Sequence, residues 1–276
     1  MSGQQTPDAA TPNYTMGYSE EFQKLLRRRN AAASAAHLLA HLKSGLRVLD
    51  LGCGPGTISI GLAQAIAPGE LHGIDMEVSQ IQMARAAAAA GGHGNATFHT
   101  GDVTALPFDN DSFDVAHFHA VLMHVPDTRA VLAEALRVVK PGGIIAAREM
   151  IGDATFTAPE VDDLAGAMAT FLKLLEANGG HPQMGKHLRH VLIEAGFSDV
   201  RASASFEFFS TTEDIHFYHE FAIGWFFSPP VVEAVTRHGL ATRGQMDGWR
   251  RLLDRWRDSP GAFSTIGWGE AIGRKP

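Results

Sequence analysis

A single cysteine, Cys53, stands in 276 residues. No disulfide can therefore form within the chain, which fits a reducing compartment. That thiol lies inside a glycine turn, where a small packed side chain is the plainer reading than a nucleophile. Long apolar runs are missing, and the start of the chain lacks the basic-then-apolar pattern of a secretory signal. The expectation is a cytoplasmic protein with no membrane partner. An excess of positive charge is also missing. The formal net charge is −7 and the pI is near 6.0, which argues against a general nucleic-acid binder. Arg27-Arg28-Arg29, and Arg250-Arg251 with Arg255 and Arg257, read as solvated helix faces. No internal repeat is present. No carboxylate motif accompanies the His117/His119 pair, so no metal site is expected.

What is present is ordinary for a globular domain: 45% hydrophobic and 19% charged residues, with enough chain for one large α/β unit plus a cap or insertion. Residues Met1–Asn13 are small and polar, with Pro7 and Pro12, and read as a flexible tail. Residues 14–276 read as one domain. Its first part, 14–45, is a helical cap. Ser19 followed by Glu20-Glu21 marks a helix start, and a second helix covers Ala32–Leu42. From Leu46 strands and helices alternate. Strands are expected at Arg47–Leu51, Glu70–Ile74, Thr97–Thr100, Phe113–His119 and Ile144–Glu149. Helices are expected from Thr57 to Ala67, Ser79 to Ala90 and Thr128 to Val139. The alternation then loosens. Helices are expected at Pro159–Ala177 and Gly185–Ala195, a strand at Val200–Phe209, a helical insertion over 211–259, and a last strand from Phe263 to Ile272.

The most informative stretch is Val48-Leu49-Asp50-Leu51-Gly52-Cys53-Gly54-Pro55-Gly56-Thr57. An apolar strand ends near an acid, three alternating glycines turn the chain, and a helix follows. Glycines let backbone approach a ligand closely, and the helix start offers unpaired N–H groups. A phosphate loop of the Gly-Lys-Ser/Thr kind is excluded because no lysine is present. A dinucleotide fingerprint requires G-x-G-x-x-G, and Thr57 stands where its third glycine belongs. A purely structural strand-turn-helix is the remaining alternative.

The G-x-G-x-G spacing with Asp50 before it resembles the first motif of class I S-adenosylmethionine (SAM) dependent methyltransferases. The resemblance runs from Arg47 to Gly143 and is nearest to the small-molecule, ubiquinone/menaquinone-biosynthesis type. It rests on further segments in order: Gly73-Ile74-Asp75-Met76, Gly101-Asp102-Val103, Asp111 through His119 to Asp127, and Arg137 to Gly143. It implies a Rossmann-like, doubly wound, seven-stranded, mostly parallel sheet whose last strand is antiparallel. It also implies a cofactor site. Gly52, Gly54 and Gly56 would cradle the methionine part of SAM, and Asp50 would help fix its ammonium group. Asp75 would take the ribose hydroxyls and Met76 would pack on adenine. Asp102 and Val103 would serve the adenine edge, and His119 would line the site. His119 departs from the family pattern. Asp75 and Asp102 also read as ordinary turn or cap residues.

Methyl transfer from a sulfonium asks for alignment in a water-poor pocket, and for a base only when the acceptor starts protonated. His119, at the carboxyl end of its strand, is the candidate base, with His124 in the following loop. Tyr14 and Tyr18, with Tyr218, Phe221 and Trp225 in the insertion, are the candidate substrate contacts, and a packed helical core is the competing reading for them. The expected activity is SAM-dependent methylation, at oxygen, nitrogen or carbon, of a small apolar or aromatic metabolite of secondary metabolism. An NAD(P)-dependent reductase and a non-catalytic SAM-binding module are the alternatives. A homodimer is compatible with the chain. The Asn/Asp-Pro-Pro-aromatic signature of DNA amino-methyltransferases is absent, and Phe118-His119-Ala120-Val121 stands in its place.

Overall fold

Strand β1 (Arg47–Leu51) is buried along almost its whole length, as the apolar run Val48-Leu49 and Leu51 demands of a central parallel strand. It pairs in parallel with β2 (Glu70–Asp75) on one side and β4 (Phe113–His119) on the other. β3 (Ala96–Thr100) extends the sheet beyond β2, and β5 (Val139–Ala158) beyond β4, both in parallel. β7 (Phe263–Arg274) then inserts antiparallel between β5 and β6 (Ser198–Phe209). The seven-stranded order is β3-β2-β1-β4-β5-β7-β6. This computed structural model describes residues 14–276. The expected tail 1–13 lies outside the described residues.

Alternate residues of the strands feed two cores, because neighbouring side chains point to opposite faces. Val48, Leu71 and Val115 pack with Leu62 and Ile66 of α4 (Thr57–Ile66) and Ile81 of α5 (Val78–Gly91). Leu49, Leu51, Ile74 and Phe118 face the larger core. That core takes in α1 (Glu20–Arg28), α6 (Thr128–Val138), α7 (Leu164–Ala177) and α8 (Met184–Glu194). It is completed by α9 (Thr212–Trp225), α10 (Pro229–Arg237) and α11 (Arg243–Arg257). Strand order reverses between β1 and β4, which places the usual ligand crevice outside their carboxyl ends.

Three boundaries differ from the sequence reading. The helix expected over Ala32–Leu42 is two single turns, α2 (Ala31–Ser34) and α3 (Ala36–Leu39). They separate at Ala35, whose φ/ψ of −133°/23° is not helical, and the bend drives Leu38 fully into the core. The fifth strand is 20 residues long, not six. Its start is held through Phe113↔Val139, and its far part through Phe156↔Thr265 to Ala158↔Phe263. The helix expected from Pro159 begins at Leu164. A residue preceding proline is pushed to extended backbone, so Ala158 continues the strand. The β5–β7 ribbon therefore projects past the sheet and forms a wall there. The helices over 212–257 cover the same region, and the first and last of them are well capped. Thr211 with Asp214 and Thr242 with Gln245 form two capping boxes.

Candidate functional site

The turn after β1 folds as the glycines require. Gly52, Gly54 and Gly56 all have positive φ, at 69°, 53° and 79°, a region that costs other residues about 1–2 kcal/mol. A side chain at Gly52 would overlap Val121, and one at Gly56 would come within 2.8 Å of Ala84. At Gly54 the nearest atom is 3.9 Å away, so this glycine faces open space. Gly56 is the N-cap of α4 and offers no side-chain cap. The N–H groups of the first turn of α4 thus remain available to a ligand.

Two acids hold the turn. Asp75, at the end of β2, accepts the Gly54 N–H at 2.9 Å and the Glu77 N–H at 2.9 Å. Burial raises the pKa of its carboxyl. Asp50 lies underneath and is only 3% exposed. It accepts Ser59 Oγ at 2.5 Å and His117 Nδ1 at 2.8 Å. Asp50 therefore props the loop from below, whereas the resemblance places it at the cofactor's ammonium. Met76 is 53% exposed beside Asp75, with the exposed Asp102 and the half-buried Val103 at the end of β3. These residues form one edge of the crevice.

Beyond the carboxyl end of β4 the crevice opens into a cavity of about 780 Å³, within the range of small-molecule sites. The β5–β7 ribbon contributes Met150, Ile266 and Trp268, α7 contributes Met168 and Phe171, and α9 contributes Tyr218, Phe221 and Trp225. Phe221 and Trp225 stack at 5.6 Å. Trp225 Nε1 donates to the Met16 carbonyl at 2.7 Å, which ties the 14–18 strap to α9. Tyr14 lies in the wall and meets the His124 ring edge-on at 4.9 Å.

Four of the five expected substrate contacts thus share one cavity: Tyr14, Tyr218, Phe221 and Trp225. Tyr18 is not in that wall. It is 40% exposed, 5.3 Å from Tyr14, and burial together with the charges of Asp75 and Glu77 raises its pKa. His119 is also outside the wall. It is buried behind Trp268, with ring centroids 4.9 Å apart. Neither ring nitrogen has a partner among the described residues. Burial, then Arg29 and Arg148, push its pKa well below the usual histidine range. The ring is neutral and lies outside the cavity, so it is poorly placed as the base.

Sequence reasoning missed Arg29 and Trp268 as lining residues, and named His124 only as a loop histidine beside the candidate base. Arg29 leaves the solvated face of Arg27 and Arg28 and enters the wall. Asn30 gives the local signal: its side chain accepts the Ala33 N–H at 3.0 Å and starts α2, so the backbone turns at Arg29. His124 lines the cavity, and burial and Arg29 lower its pKa to about 3. Trp268 stands between the guanidinium carbons of Arg148 at 4.4 Å and Arg29 at 5.7 Å. Glu149, just behind, accepts the N–H groups of Val121, Leu122 and Met123. Among the described residues no group of three His, Cys, Asp or Glu side chains is arranged to hold a metal ion. No helix there is long and apolar enough to cross a membrane.

The fold and loop define a class, and comparison with known proteins agrees. A family model described as a methyltransferase domain matches residues 42–196, more than half of the chain, so the chain belongs to the methyltransferase domain family. It is 29% identical over 187 residues to an uncharacterized methyltransferase of Schizosaccharomyces pombe, covering 64% of this chain and 66% of that one. It is 37% identical over 105 residues to a demethylmenaquinone methyltransferase of Geobacillus kaustophilus, covering 38% of this chain and 45% of that one. The chain thus spans about half to two thirds of the length of these curated relatives. The crystal structure of the YcgJ protein of Bacillus subtilis shares the fold, with a TM-score of 0.58 and 17% identity, over 89% of this chain and 99% of that one.

The residues present fit the SAM that the resemblance implies. The fit rests on the open face at Gly54, the uncapped start of α4, Asp75 at the end of β2 and Asp102 just past β3.

Proposed function

We propose that this protein is a SAM-dependent methyltransferase acting on a small, largely apolar or aromatic metabolite of the secondary-metabolite kind. One observation carries the reading: the glycine loop follows β1, and the apolar cavity is lined by Ala120 and Met123 just after the neighbouring parallel strand β4, with Val121 between them packed against Gly52. Bound there, SAM would supply an electrophilic methyl group on a sulfonium. Gly52, Gly54, Gly56 and the start of α4 would hold its amino-acid end. Asp75, Met76, Asp102 and Val103 would hold its nucleoside end. Ser59 and His117 keep Asp50 in place under the loop, and Asp75 fixes the loop from its rim. The aromatic and methionine walls exclude water, which favours a step in which charge is neutralised. Phe171, Phe221 and Trp225 present flat apolar surface to an aromatic or polycyclic acceptor. The similarity to a demethylmenaquinone methyltransferase supports an apolar acceptor.

A homodimer through the edge strand β6 belongs to the same reading, because Phe206 and Phe208 lie exposed on it at 47% and 57%. Light scattering that returns only monomer refutes this part. The central test is calorimetric titration with SAM, its demethylated product and NAD(H). Heat is expected with the first two, and no response to SAM overturns the proposal. Mass spectrometry of a metabolite panel incubated with SAM then identifies the acceptor by its added methyl.

A further inference from the structure

The inner end of the cavity holds a cation with no counter-ion. Arg29 is the sole arginine or lysine in the wall among the described residues. Its Nε is buried without a hydrogen-bond partner, and no carboxylate among the described residues stands within ion-pair distance. Burying a charge in apolar surroundings without a partner is costly and therefore uncommon. Two neighbours in the same wall repeat the pattern. Trp268 Nε1 and His124 Nδ1 are each buried without a partner. Buried polar atoms are normally satisfied, and here three orphans stand together in residues that line one cavity, beside an arginine without a counter-ion.

The nearby acids do not serve as that group. Glu149 spends both carboxylate oxygens on backbone N–H groups. Glu207 acts on Arg29 through space only. Asp153 pairs with Lys186, and Asp163 accepts Trp249 Nε1 at 2.9 Å. Glu160 and Asp162 are exposed on the segment that follows β5. The cavity therefore has an acidic outer rim and a basic inner end.

We propose that this inner end is an anion site, in which Arg29 binds one carboxylate-like oxygen group of a bound ligand. The inference depends on the methyltransferase reading only for calling that ligand a methyl acceptor. Two sources present this chemistry. One is an acidic group of the acceptor itself: a carboxylate, phenolate or enolate. The other is the amino-acid carboxylate of SAM, because the chain around Arg29 packs on the start of α4. Thr57 Oγ1 donates to the Leu26 carbonyl at 3.1 Å, and a side chain at Gly61 would come within 2.6 Å of Ala31.

The experiment uses tryptophan fluorescence and calorimetry on the full chain, with R29M and R29K beside it. The first arm compares 2-naphthoate, 2-naphthol and 2-naphthalenemethanol. The second compares SAM with decarboxylated SAM. An acceptor site is expected to bind 2-naphthoate at least about tenfold more tightly than the neutral alcohol, as a charge-assisted hydrogen bond allows. R29M should abolish that preference and R29K should keep part of it. If 2-naphthol gains affinity as pH rises, the acidic group is a phenolate or enolate. If only the SAM arm shows an Arg29-dependent preference, the anion is the cofactor's carboxylate, and the acidic acceptor is refuted. No Arg29-dependent preference in either arm overturns the anion site. Should R29M fail to fold, R29K and the wild-type ratios decide the same question. A chain that binds naphthoate through Arg29 but shows no heat with SAM keeps the anion site and loses the methyltransferase reading.

Discussion

Alanine at Gly54 and alanine at Gly56 should damage the protein in opposite proportions. Both glycines have positive φ, so each substitution carries about 1–2 kcal/mol of left-handed strain. At Gly54 nothing else is added, since the new methyl has 3.9 Å of clearance. At Gly56 the methyl lies 2.8 Å from Ala84 Cβ and 3.2 Å from its Cα, so overpacking adds about 1–3 kcal/mol. G56A should therefore lose about 2–5 kcal/mol, against about 1–2 kcal/mol for G54A. For a chain of this size each kcal/mol lowers Tm by roughly 2–4 °C. Thermal unfolding without ligand should show a drop of a few degrees for G54A and a clearly larger one for G56A. Affinity for SAM should rank the other way. The Gly54 methyl enters the open face of the loop, and its Kd should rise at least about tenfold, which is roughly 1.4 kcal/mol. Folded G56A should lose less. If folded G54A binds SAM with wild-type affinity, the open face of the loop is not the cofactor's seat, and the argument built on it fails.

His119→Phe should leave stability unchanged or raise it by about 1 kcal/mol in thermal unfolding, because it removes two unsatisfied buried nitrogens and keeps a ring against Trp268. Methyl transfer should persist, and a loss beyond about tenfold in a folded variant would restore His119 as a base. Trp225→Phe should cost about 1–3 kcal/mol by leaving the Met16 carbonyl unpaired, and unchanged thermal unfolding would show that the strap is held elsewhere. Glu149 gives a pH effect. Burial raises its pKa from 4.5 to about 7, so its contribution is present below the unfolded value and is lost as pH rises through the folded one. Urea unfolding of wild type should therefore lose about 3 kcal/mol relative to E149Q between pH near 4 and pH near 8, and parallel pH profiles would refute this.

The centre of the fold was legible because its strands are mostly buried and their sequences are short segments rich in apolar residues, set between turns and helices. Phe113–His119 has the bounds read from sequence, and the Asp50-to-Gly56 turn folds as its glycines dictate. The far part of β5 was not legible. Its pairing with β7 joins segments about a hundred residues apart, and Pro141-Gly142-Gly143 read as a stop although the strand begins before it. The cavity aromatics were visible as spacing on a helix. Arg29 was hidden within an arginine run whose first two members are solvated, and only the cap at Asn30 marks the turn inward. His119 misled because alternation gives the face of a strand but not what stands in front of it. Here that is Trp268, which comes from the end of the chain.

The place of β7 also orders events in time. β6 has no partner in the sheet except β7, and 53 residues of helical roof separate the two strands in sequence. While the chain is being made, β1 to β5 can pair as they emerge. β6 must wait with its backbone unpaired. When β7 slides between β5 and β6 it completes the sheet and brings Trp268 to the cavity wall. The cavity is therefore among the last parts to form. A cell short of chaperone capacity would be expected to lose this protein at that step, as a species with a finished glycine loop and an unfinished cavity.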